Sequence, residues 1–82
     1  MNKETIYTRT TERCTWRIAP WTAGSWVLKW IGKDGVPAVA GSYPSAELAA
    51  DSVGHGTTDV LWWDELPHDP KAFELPRWQV EH

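Results

Sequence analysis

Three histidines, one cysteine and eleven carboxylates are the side chains of this 82-residue chain with the widest chemical repertoire. Cys14 with His55 or His68 could be written as a nucleophile and its base. That chemistry needs a thiolate and an imidazole within hydrogen-bond reach. No glycine frame or strand-to-helix elbow surrounds Cys14, so a structural, half-buried cysteine is the expectation. His55, His68 and His82 with Asp64 or Asp69 could hold a metal, yet their spacing fits no zinc pattern. Asp64 and Glu65 beside Trp62 and Trp63 suggest a glycosidase acid pair with aromatic sugar platforms. Hydrolysis needs two carboxyls about 5–10 Å apart across a cleft. Neighbours on a strand point to opposite faces, and a chain this short has little room for a water-excluding cleft. The expectation is a non-enzymatic protein with no metal and no cofactor.

Binding chemistry is better represented. Seven tryptophans, Trp16, Trp21, Trp26, Trp30, Trp62, Trp63 and Trp78, are a heavy load for 82 residues. Each ring buries on the order of 200 Å² and serves equally as core filler or as an interface anchor. Charge is segregated along the chain. Residues 1–41 hold six Lys or Arg against three Asp or Glu, and residues 42–82 hold two against eight. Such a chain either neutralises itself on folding or presents two faces of opposite sign.

The acidic half with exposed aromatics predicts a protein–protein interaction module for a basic partner, working through Trp63, Asp64, Glu65, Asp69 and Trp78. Trp63 is the expected outward ring, because Asp64 and Glu65 beside it cannot enter a core unpaired. Two alternatives stand beside this reading. One is a tryptophan-lined module for a small ligand or carbohydrate. The other is a single-stranded nucleic-acid binder using the basic half, with Arg17, Lys29 and Lys33 as its face. Arg17 and Lys29 alternate with tryptophans along their strands, which puts cations and rings on opposite sides of the sheet and weighs against nucleic acid. Association of identical copies stays open.

The elements that would position these residues follow from periodicity. Thr15–Ala19 alternates, with Trp16 and Ile18 on one face. Ser25–Ile31 puts Trp26, Leu28 and Trp30 together, and Trp26 is expected to be buried. Gly32-Lys33-Asp34-Gly35 predicts a hairpin turn into a third strand, Val36–Ser42, whose Pro37 favours an edge. Ser45 then caps a short helix over 45–53, with Ala46, Ala49, Ala50 and Val53 on its inward stripe, Glu47 facing water and Gly54 as the stop. Small residues on the helix face suit large ones on the sheet. Asp59–Trp63 reads as a fourth strand or as the start of a helix through Leu66, since short apolar runs do not fix their period, and the strand is the preferred assignment. Pro67, Pro70 and Pro76 mark a C-terminal tail over 67–82, with a helical turn at Pro70–Glu74, pinned to the body by Phe73 and Trp78.

The fold expected is α+β in one small domain spanning 1–82: an antiparallel sheet of three or four strands with one helix on one face. Within residues 1–12, an edge strand over Thr5–Thr8 and a frayed end are equal alternatives. One cysteine excludes an intrachain disulfide. No apolar run approaches the roughly 20 residues of a membrane span, and the polar N-terminus has no signal-peptide core, which together predict a cytoplasmic protein without membrane contact. In size and charge the chain resembles the compact accessory proteins of phages and mobile elements, some of which inhibit host machinery; the resemblance covers no motif.

Overall fold

The structure, a computed structural model, describes residues 5–81. Five strands form one antiparallel sheet: β1 (Ile6–Thr10), β2 (Thr15–Pro20), β3 (Trp26–Ile31), β4 (Pro37–Tyr43) and β5 (Gln79–Glu81). Their spatial order is β4-β3-β2-β1-β5, so four consecutive strands make a meander and the C-terminal strand returns to pair with β1. The sheet is therefore larger than the three or four strands expected. β1 is ordered from Ile6, where a frayed end over 1–12 was the alternative, because it is paired on both sides. Residues 1–4 of that segment lie outside the described residues.

The turns are those the residues dictate. Gly35 donates its N–H to the Gly32 carbonyl at 3.0 Å, and its φ of 77° lies where a side chain would be strained. The Asp34 carboxylate accepts from Val36 N–H at 3.1 Å, closing the hairpin into β4. β4 is the sheet edge, as Pro37 anticipates.

One long helix, α1 (Ala46–His55), crosses one face of the sheet. The Ser45 hydroxyl accepts from Leu48 N–H at 3.1 Å as the N-cap. Ala49, Ala50 and Val53 are fully buried, against Trp16, Ile18 and Leu28. Large residues on the sheet meet small ones on the helix, as the alanine stripe predicts. Trp26 is only half-buried and packs at the margin of this core, tilted against Tyr7 at 6.1 Å between ring centroids.

The helix runs past Gly54, which is not its stop. Within the helix its missing side chain gives room to the tail: a Cβ there would sit 3.0 Å from the Pro70 Cα. The stop is Gly56, left-handed at φ 71°, with its N–H shared between the Ser52 and Val53 carbonyls. A Cβ on Gly56 would also run into the His68 ring.

Asp59–Trp63 is not a strand. Leu61–Asp64 forms a single helical turn, α2. The tail adds two 3₁₀ turns, Pro70–Phe73 and Leu75–Arg77, before β5. The Asp69 carboxylate caps the first by accepting from Lys71 N–H at 3.2 Å, with Pro70 at the position expected of it.

Two substitutions test this packing. Gly56→Ala meets both a strained φ and the His68 ring, so it should destabilise by about 2 kcal/mol or more, within the range of strained backbone sites. Ala49→Leu should overpack the sheet by about 1–3 kcal/mol, while the exposed Glu47→Gln is neutral. Urea unfolding midpoints check all three; equal midpoints would contradict the docking described.

Candidate functional site

The patch expected at Trp63, Asp64, Glu65, Asp69 and Trp78 does not form as one exposed surface. A strand would have sent one ring of the Trp62–Trp63 pair outward. In the α2 turn adjacent side chains diverge by only about 100°, so both rings face the body. Trp63 is 6% exposed, and its indole N–H donates to the Val53 carbonyl at 2.9 Å. Its ring meets Trp16 and Phe73 edge-on at 5.2 and 5.5 Å. Trp62 packs edge-on against Trp30 at 5.3 Å. Trp78 is also buried, with its N–H donating to the Phe73 carbonyl at 2.8 Å. This is the pinning role expected of it, and it leaves the expected patch without an exposed ring.

Asp64 is partnered inside the protein. Its carboxylate accepts from the Thr58 N–H at 3.0 Å, the Thr58 hydroxyl at 2.7 Å and the Asp59 N–H at 2.9 Å. Thr58 is fully buried, and its hydroxyl oxygen in turn accepts from Val60 N–H. The acid therefore folds the 57–60 loop back onto α2 and holds Asp59 at a φ of 70°. The signal for this role was the Thr-Thr-Asp run ahead of an apolar turn with an acid at its end, a variant of capping chemistry. Of the expected acids, Glu65 and Asp69 remain exposed.

Arg17 and Lys29 are direct cross-strand partners between β2 and β3, on the side away from α1, since Trp16, Ile18 and Leu28 fill the α1 side. Like charges directly opposite destabilise a sheet. Lys33 lies apart in the hairpin turn. The rings lie on the opposite face, so this surface carries cations without a stacking platform.

A different acidic surface is built. Glu47, Leu48 and Asp51 of α1 face Glu74, Leu75 and Pro76 of the tail across a cavity of about 410 Å³. Glu47, Leu75 and Pro76 also line an adjoining cavity of about 240 Å³ with Tyr7, Trp78 and Val80. The two make one groove, acidic at the helix end and apolar at the β5 end. Leu48 and Val80 are 48% and 47% exposed along it. No lysine, arginine or histidine is among its lining residues. Glu47 and Asp51 stand one turn apart on α1, a like-charge spacing that costs a helix about 0.2–0.5 kcal/mol. Sequence periodicity could not find this groove, because its second wall is the tail.

Cys14 is buried, and burial pushes its thiol up to about 11, with a Thr11 contact opposing the shift. It is protonated at neutral pH, the unreactive form. Among the described residues no three His, Cys, Asp or Glu side chains come together as metal ligands. No helix among them is long and apolar enough to cross a membrane. Neither cavity of the groove brings two tryptophans together, and Trp21, 56% exposed, stands in the β2–β3 turn.

Asp64→Ala should cost about 2–4 kcal/mol, since it strands the Thr58 and Asp59 donors, whereas a surface acid would cost under about 0.5 kcal/mol. Lys29→Glu should raise stability by about 0.2–1 kcal/mol by turning a like pair into an opposite one. Thermal and urea melts give both signs.

No protein-family model matches the chain, and no curated protein or solved structure is significantly similar to it.

Proposed function

We propose that the protein is a non-enzymatic interaction module that takes a basic, amphipathic segment of a partner protein into the groove between α1 and the tail. The observation that carries this reading is the lining itself: Glu47, Asp51 and Glu74 around the apolar side chains of Leu48, Leu75 and Pro76, with no cation among them. Lysine or arginine heads from a partner would meet the carboxylates, and its apolar residues would cover Leu48 and Val80. Interfaces place an apolar centre inside a charged rim in this way, and the charges govern specificity and on-rate. The exposed acids Glu65 and Asp69 extend the negative field that would steer such a partner.

Fluorescence anisotropy of a labelled 15-residue peptide of Leu, Lys and Arg with helical periodicity tests the reading. Saturable binding is expected, weakened at least about tenfold by Glu47→Lys, Asp51→Lys and Glu74→Lys together. Leu48→Ser should weaken it separately. All four positions are solvent-exposed, so the melting temperature should hold. Equal binding of a peptide with glutamates in place of its cations, or undiminished binding by the triple variant, would refute the groove as the working surface.

A further inference from the structure

A separate cavity lies where β1 outruns its short partner. β5 pairs with Ile6, Tyr7 and Thr8 and no further, so Arg9 and Thr10 have no β5 neighbour. A space of about 270 Å³ remains there, lined by Thr8, Arg9 and Thr10 of β1 and by Arg77, Trp78 and Gln79 of the chain entering β5. Two of the six lining residues are arginines and none is acidic. The Trp78 N–H is spent on the Phe73 carbonyl, which leaves guanidinium, hydroxyl and amide groups as donors.

Arg9 is held in an unusual state. Its guanidinium carbon stands 5.1 Å from the centre of the Phe73 ring, which orients the group without accepting a strong hydrogen bond. Its Nε is buried and has no acceptor among the described residues. A buried, unmet donor on a charged group is costly, and a second cation lining the same space adds repulsion. An oxyanion in the cavity would offset the repulsion between the two guanidinium groups. The paired Nη hydrogens of arginine match two oxygens of one phosphate, and two cations match two charges.

We propose that this cavity binds a phosphate dianion, free or as a monoester, on Arg9 and Arg77. Thr8, Thr10 and Gln79 supply further donors around it. Arginine keeps its charge at all relevant pH, while a phosphate monoester takes its second charge near pH 6 and the free ion about one unit higher. Affinity should therefore rise between pH 5.5 and 7.5.

The test is a nuclear magnetic resonance titration of the ¹⁵N-labelled full chain, with the Arg9 Nε–H resonance as reporter. Inorganic phosphate should shift that resonance and the amides of residues 8–10 and 77–79 saturably. Acetate and chloride at equal ionic strength should not. Arg77→Ala, at an exposed position, should weaken phosphate binding about tenfold without unfolding the protein. Arg9→Lys, which keeps the charge and loses the fork, should weaken it as much. Phenyl phosphate separates the sources: tighter binding than inorganic phosphate assigns an ester, and weaker binding assigns the free ion. Shifts that fail to saturate, that acetate reproduces, or that survive Arg77→Ala unchanged overturn the site.

Discussion

The hydrogen bond from the Trp63 indole to the Val53 carbonyl is the joint on which the remaining packing depends. It lies near the C-terminal end of α1 and buries the indole N–H at 2.9 Å from its acceptor. The same ring leans edge-on to Trp16 of the sheet and Phe73 of the tail, and tilts against His68 at 5.6 Å. Helix, sheet, the α2 turn and the tail thus share one side chain. Small domains have few such opportunities, because the core shrinks faster than the surface as chains shorten.

The site geometry follows from that joint. With both Trp62 and Trp63 facing the body, α2 cannot be a strand, and the chain after it runs along α1 toward β1. Pro70 then lies against Gly54, and the tail becomes the second wall of the acidic groove. Asp64 secures the entry to this path by collecting three donors from Thr58 and Asp59. A carboxylate within a turn of the core is tolerable because its lone pairs are occupied. His68 is fixed by its ring contact and by an Nε2–H donated to the Asp64 carbonyl at 3.2 Å.

Residues 15–56 were the legible part of the sequence. Alternation along Thr15–Pro20 and Trp26–Ile31, the Asp34-Gly35 turn and the alanine stripe of α1 each carry a strong period or a conformational requirement, and tertiary contacts reinforce them. After Gly56 the Asp69-Pro70 cap and the pinning by Trp78 were legible, and the rest was not, for physical reasons. Leu61-Trp62-Trp63 is too short to display a period, and its identity was decided by what Trp63 could reach. Gln79-Val80-Glu81 has only three residues and owes its strand geometry to pairing with β1. The groove was invisible for the same reason: Glu47 and Asp51 read as a solvated helix face until Glu74 and Pro76 were placed opposite them. The composition correctly pointed to an acidic second half, and misassigned which acids and rings reach water.

The tryptophans have an optical consequence. Trp30, Trp62, Trp63 and Trp16 form an unbroken series of edge-on neighbours, at 5.3, 6.1 and 5.2 Å between centroids. Chromophores so close and so fixed in angle share their excited states, giving the folded chain strong ultraviolet ellipticity and allowing absorbed light to migrate along the series before emission. Trp21 stands outside it in the β2–β3 turn, more than half exposed. Besides Trp26 and Trp78, which pack outside the series, the chain therefore carries two contrasting dyes of its own: a coupled array that responds to the integrity of the interior, and a solitary indole that senses solvent.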